Sequence, residues 1–228
     1  LRRRPRRTAL VLSGGGNLGA LQVGMLRALL ERGVEPDLVV GCSVGALNGA
    51  AVAAAPSLAT VSRLEEVWRG LDDHDVMPAG LLPRTFALAR RGLAIHPNDN
   101  LRRVVEDVLS ARAFEDLQIP FHCVAAAIDE GVEHWFDEGP LVEAILASAA
   151  LPAVYPPVEI AGVRYLDGAV VNDVPVSRAV QLGADRIFVL HVGAWDRPRP
   201  EPRRPFEMAM RRRPTWCRRS SLPPDGAC

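Results

Sequence analysis

The 228-residue sequence contains no lysine: all 27 of its basic residues are arginine, set against 27 Asp and Glu. The zero net charge hides a segregation. Residues 1–7 and 197–228 hold 5 and 9 Arg against 3 acids, a surplus of +11, and the stretch between them carries −11. Basic ends can hold a chain to anionic lipid or nucleic acid, but short Arg-rich tails are more often solvated, and no nucleic-acid partner is expected. The four cysteines, Cys42, Cys123, Cys217 and Cys228, form neither a C-x-x-C pair nor a clustered framework, so a disulfide scaffold is not indicated and the expected setting is reduced and cytoplasmic. Metal-ligand spacing is missing among Cys42, Cys123 and the five histidines, so no metal is expected. No apolar run approaches 18 residues without polar interruption, which excludes a transmembrane helix. RRRPRRTALVL resembles the start of a secretory signal, but SGGGN breaks it at once and cleavage there would remove a glycine loop, so no signal is read. No internal repeat is present.

What remains is the composition of a globular protein, 48% hydrophobic and 24% charged, of a length that suits one substantial α/β domain. The expected organisation is a basic tail at 1–7, a globular domain at 8–196, and a poorly ordered Arg/Pro-rich tail at 197–228. TALVLS (8–13) reads as a buried strand, followed by a helix with Leu18, Leu21, Met25, Leu26, Leu29 and Leu30 at helical spacing and Gly33 as its C-cap. Residues 37–41 and 44–55 repeat the pattern, and two such units imply parallel strands with right-handed crossovers. Residues 57–110 read as mostly helical, apart from an irregular stretch at 74–97 that suits either a substrate-entry lid or a plain connection. A buried strand (121–128), an exposed partner (132–136), a helix (140–150), a hairpin turning at Ala161 and Gly162, another helix (174–183) and a last parallel strand (186–193) complete the pattern. The expected fold class is a three-layer α/β/α sandwich around a mostly parallel sheet.

In SGGGNLG (13–19), Gly14, Gly16 and Gly19 match the G-x-G-x-x-G spacing of a dinucleotide loop, and the same turn can aim N–H groups at an oxyanion. A dinucleotide fold needs an acid at the end of the second strand, and none is there. The strand ends instead in Gly41-Cys42-Ser43-Val44-Gly45, a G-x-S-x-G elbow in strand–turn–helix context. Gly41 and Gly45 make room for a sharp turn, and the following helix points its positive end at Ser43. Both loops follow adjacent parallel strands and so lie at the same sheet edge. For a base, the residues leave two arrangements open: a Ser43–Asp167–His191 triad, or Asp167 alone in YLDGA, where Gly168 lets the backbone turn closely around the carboxylate. Asp129, Asp173 and Asp185 are the rival acids.

With the glycine loop, GCSVG and LDGA in that order, and with SAALPAVYPPVEI before the aspartate and Asn172 to Pro175 after it, the chain resembles the patatin-like phospholipase family from about Ala9 to Gly193. The resemblance implies a Ser43–Asp167 dyad, an oxyanion loop at Gly14, Gly15 and Gly16 supported by Gly19, Gly41, Gly45 and Gly168, and hydrolysis of lipid acyl esters without a cofactor. It also implies a lipid partner and peripheral contact with membranes. Two departures stand out. Leu18 occupies a loop position where many members carry Arg or Lys, and the tail from about residue 197 is unlike the family's C-terminal helices. A non-catalytic lipid-binding protein of the same fold is the rival reading.

Overall fold

The computed structural model describes residues 6–71, 98–152 and 154–193. The expectations placed on 74–97 and 197–228 lie outside them. Among the described residues, seven strands form one mixed sheet: β1 (Thr8–Leu12), β2 (Leu38–Cys42), β3 (Phe121–Ala127), β4 (Val132–Phe136), β5 (Val158–Ile160), β6 (Val163–Asp167) and β7 (Arg186–Leu190). The order is β5-β6-β3-β2-β1-β7, with β4 also paired to β3. β7, β1, β2 and β3 are mutually parallel, and β4, β5 and β6 join in antiparallel fashion.

Among the described residues, seven α-helices cover the sheet: α1 (Gly19–Glu31), α2 (Val44–Ala54), α3 (Leu58–Gly70), α4 (Asp99–Val108), α5 (Leu141–Ser148), α6 (Ala169–Asn172) and α7 (Val176–Gln181). β1, β2 and β3 are buried along their whole length, which is why they read as continuous apolar runs. Their side chains alternate between two cores. Leu10, Leu12, Val39 and Phe121 face a thick layer built by Leu26 of α1, Ala50 of α2, Leu64 of α3, Val105 of α4 and Ile145 of α5. Ala9, Val11, Leu38 and Val40 face a thin layer built around Ala179 of α7. The result is the expected three-layer α/β/α sandwich with unequal layers.

Two turns follow from local chemistry. α1 stops where Gly33 takes φ 70°, with Val34 N–H bonded to the Leu29 carbonyl and Gly33 N–H to that of Leu30. The β5–β6 hairpin turns through Ala161 (φ 51°) and Gly162 (φ 79°), the paired positive values of a two-residue I′ turn.

The buried face of α1 matches the expected one only in part: Leu26 is buried, and Leu29 and Leu30 pack against the core. Leu18, Leu21 and Met25 are exposed, and Gly19, Gln22, Val23 and Leu26 point inward. A side chain at Gly19 would collide with Val44 and the Trp68 ring, so the helix packs through a glycine and a glutamine. Hydrophobic spacing cannot recognise either as an inward position.

The pairing of β3 sets up the site. β4 lies along one edge of β3 at Cys123–Ala127. β2 lies along the other edge at Phe121–Val124, in the registers of Val39 to Cys42, and β6 takes over that edge at Ala125–Ala127. Since β2 and β6 run in opposite directions, they meet end to end: Cys42 is opposite Val124 and Asp167 is opposite Ala125. The last residue of β6 is thereby brought to the turn that leaves β2.

Leu26→Ala should cost about 3 kcal/mol in chemical unfolding, because it empties a site in the thick core. Leu21→Ala on the same helix should stay within about 0.5 kcal/mol. Equal losses would mean that α1 packs through the other face.

Candidate active site

Ser43 occupies the first position after β2 with φ 54° and ψ −124°, a strained conformation for a residue with a side chain. The turn closes tightly enough to require glycine on both sides. A Cβ at Gly41 would lie 2.5 Å from the Gly45 carbonyl oxygen, and one at Gly45 would lie 2.5 Å from the carbonyl oxygens of Leu12 and Ser13. α2 begins at Val44, and its positive end faces the serine. Ser43 keeps 9% of its surface exposed.

Asp167 is 2% exposed at the end of β6. Ser43 Oγ donates to Asp167 Oδ2 at 2.7 Å, and the Ala169 N–H donates to Oδ1 at 2.8 Å. Gly168 permits this tight turn, since any side chain there would strike the Val124 carbonyl. Burial pushes the Asp167 pKa from 3.8 up to about 7; the two hydrogen bonds pull it back in part, and the nearby Asp173 carboxylate pushes it further up. A buried carboxyl of this kind can exchange a proton with Ser43 near neutrality.

Of the rival acids, Asp173 lies beside the site, and the other two are placed elsewhere. Asp129 pairs with Arg164 at 2.7 Å, and Asp185 Oδ2 accepts from the Arg7 N–H. His122 contacts Asp137 and Arg178, and His134 packs against Phe136 and Tyr165. His191 follows β7, which is separated from β2 by β1. At the usual spacing of about 4.8 Å per strand, that is roughly 10 Å across the sheet from the serine's strand. The Cys42 thiol, beside Ser43, is fully buried and held well above its ordinary pKa by burial, so it is not a nucleophile.

The glycine loop lies against the same point. A Cβ on Gly14 would sit 3.4 Å from the Ser43 Cβ and 2.5 Å from Asp173 Oδ1. The Gly14 N–H is committed to the Asp173 carbonyl at 3.1 Å. Gly15 and Gly16 are exposed at the start of the short helical turn Gly16–Leu18, where N–H groups have no intrahelical partner. Behind the loop is a buried polar network. Gln22 donates to the carbonyls of Ser13 (2.7 Å) and Leu190 (3.2 Å), Asn48 donates to the Gly19 carbonyl and Gln22 Oε1 (both 3.0 Å), and Trp68 donates to Asn48 Oδ1 (3.0 Å). Ser148 Oγ accepts from the Ser43 N–H at 2.9 Å and donates to the Val124 carbonyl at 2.7 Å. Gln22 and Asn48 are singled out by no motif, whereas Ser148 opens the SAALPAVYPPVEI stretch, which gives it no role of its own. Asn48 does leave a signal, as the one polar side chain in the otherwise apolar helix α2.

The patatin-like phospholipase family model matches residues 10–180. The chain belongs to the patatin-like phospholipase family. It is 30% identical over 190 residues to patatin-like phospholipase domain-containing protein 7 of Rattus norvegicus, covering 82% of this chain and 14% of that protein. It is 32% identical over 182 residues to an uncharacterized NTE family protein of Mycobacterium bovis, covering 78% and 47%. It is likewise 30% identical over 189 residues to neuropathy target esterase sws of Drosophila melanogaster, covering 82% and 13%. The chain thus spans less than half the length of each of these relatives. Among solved structures, VipD of Legionella pneumophila shares the fold, with a TM-score of 0.55 at 16% identity over 82% of this chain and 49% of that one. In this patatin-like chain no described helix is long and apolar enough to cross a membrane, and no described group of three His, Cys, Asp or Glu is gathered as for a metal ion.

The raised Asp167 pKa has a consequence for stability. The folded state holds that proton more tightly than the unfolded chain does, so the contribution of Asp167 is most favourable below about pH 3.8. It is lost as pH rises towards about 7. The stability of Asp167→Asn relative to wild type should therefore climb by up to about 4 kcal/mol between pH 4 and 8, read from urea unfolding at each pH. A difference independent of pH would show that Asp167 titrates normally.

Proposed function

We propose that this patatin-like protein is a serine lipid acyl hydrolase, a carboxylic ester hydrolase of phospholipase A or esterase type, working through a Ser43–Asp167 dyad. The observation that carries the reading is the 2.7 Å hydrogen bond from Ser43 Oγ to a buried carboxylate whose pKa is pushed to about 7. Ser43 Oγ attacks the ester carbonyl carbon as its proton passes to Asp167 Oδ2. The N–H groups of Gly15 and Gly16 receive the developing oxyanion, with Gly14 acting as the loop's anchor through its bond to Asp173. The intermediate collapses, Asp167 protonates the departing alcohol or lysolipid, and the acyl chain stays on Ser43. Asp167 then takes a proton from water as the water oxygen attacks the acyl carbonyl; the bond to Ser43 Oγ breaks, the carboxylic acid leaves, and Asp167 returns the proton to Ser43 Oγ.

Ser43 Oγ donates directly to Asp167, whereas a triad would have an imidazole between them, which argues against a triad through His191. The strained turn at Ser43 argues against a purely binding role, because such backbone strain is a cost that an inert site does not need. For a lipid substrate and peripheral membrane contact, the support is the surface beside the loop. From Gly15 to Met25 the exposed residues are Gly15, Gly16, Asn17, Leu18, Ala20, Leu21, Gly24 and Met25, none of them charged. Leu18 replaces the loop cation with an apolar contact, which suits an acyl chain better than an anionic headgroup.

With a soluble chromogenic short-chain ester, Ser43→Ala should abolish turnover, Asp167→Asn should lower kcat roughly 10³-fold, and His191→Ala should leave kcat/KM unchanged. Wild-type kcat/KM should rise through about pH 7 as Asp167 loses its proton. Wild-type activity retained by Ser43→Ala would end this proposal, and loss of activity on His191→Ala with Asp167→Asn still active would move it to the triad.

A separate comparison addresses the lipid surface. Leu21→Glu should slow hydrolysis of phosphatidylcholine vesicles while leaving the rate on the soluble ester intact. Equal effects on both would remove the exposed α1 face from substrate capture.

A further inference from the structure

The relative position of Ser43 and Asp167 depends on two backbone turns that come from different strands. β2 delivers one and β6 the other, and β3 aligns the strands but does not grip the turns themselves. The groups that do so belong to the C-terminal end of α5. Ser148 Oγ accepts the Ser43 N–H at 2.9 Å, and the Ser148 carbonyl accepts the Gly168 N–H at 3.1 Å. Two residues on, the Ala150 carbonyl accepts the Asp167 N–H at 2.9 Å. The Ser148 hydroxyl is itself fixed, because it donates to the Val124 carbonyl at 2.7 Å. Val124 is the β3 residue opposite Cys42, at the junction of β2 and β6. Ser148 is fully buried, so no water competes for these bonds.

We infer that Ser148 is a positioning residue for the proposed dyad: its hydroxyl and carbonyl tie the serine turn and the aspartate turn to one point, and so set the Ser43 Oγ to Asp167 Oδ2 distance. This rests on the Ser43–Asp167 reading above. The chemical logic is that the strained φ of Ser43 must be held by something outside the turn. Its N–H would otherwise be a buried donor without an acceptor, and the turn would relax to satisfy it. A relaxation of about 1 Å at a reacting atom is enough to cost about 10²-fold in rate.

The test labels Ser43 with a fluorophosphonate, followed by intact mass, in wild type, Ser43→Ala, Ser148→Ala and Ser148→Cys across pH 5 to 9, with folding checked by circular dichroism. Ser148→Ala should be folded and labelled about 10²-fold more slowly. Its pH inflection should move upward, because the Ser43 hydrogen bond that helps hold Asp167 ionised is weakened; Asp173, the neighbouring carboxylate, is unchanged and keeps pushing the same way. Ser148→Cys keeps the side-chain size but offers a weaker acceptor. It should be slowed less, with a shift in the same direction, and it decides the matter if the alanine variant does not fold. A folded Ser148 variant labelled at the wild-type rate, or slowed with the inflection unmoved, overturns the inference while leaving the dyad standing. Failure of wild type to be labelled, or equal labelling of Ser43→Ala, overturns both.

Discussion

Everything distinctive about this molecule depends on β2 and β6 meeting end to end on one edge of β3. A strand has two edges, and β4 fills one of them, so two strands running in opposite directions must share the other. Wherever they abut, two turns are forced together. Here one turn carries a serine and the other an aspartate. The result is a buried hydroxyl–carboxylate pair made without any long loop having to be ordered.

That arrangement is costly to the fold and useful to chemistry for the same reason. Burying Asp167 disfavours its charged form, and the same burial lifts its proton affinity to where a carboxylate can act as a base near neutral pH. The Ser43 turn stores backbone strain that the surrounding glycines only make possible. Gly41, Gly45 and Gly168 are needed not for freedom of φ but because backbone oxygens approach where a Cβ would stand. The groups that keep the site in this state lie behind it: Ser148 under the two turns, and Gln22, Asn48 and Trp68 under the glycine loop. Each donor in the loop network has an acceptor, so a polar interior holds the site rigid at little desolvation cost.

Much of the fold is legible in the chain. The three central strands are apolar on both faces because helices cover both, and such runs are visible without a structure. The I′ turn at Ala161–Gly162 and the C-cap at Gly33 are written in local residue chemistry as well. α1 is the exception. Its apolar spacing points to Leu18, Leu21 and Met25 as core, yet they face out, because the inward line passes through Gly19 and Gln22. The first turn of the helix packs by close approach and by hydrogen bonding, so apolar residues mark its buried side only from Val23 onward.

The sequence by itself determined the family, the elements and the chemical types at the site: a serine in an elbow, an aspartate before a glycine, and a loop of glycines. These are local facts, set by which residues can turn, cap or alternate within a few positions. Only the tertiary structure decided which acid meets the serine, which loop N–H is already spent, and that Ser148 lies beneath both turns. Most of those relations join residues more than 100 positions apart, and they exist only because strand pairing and burial bring the two turns to one place.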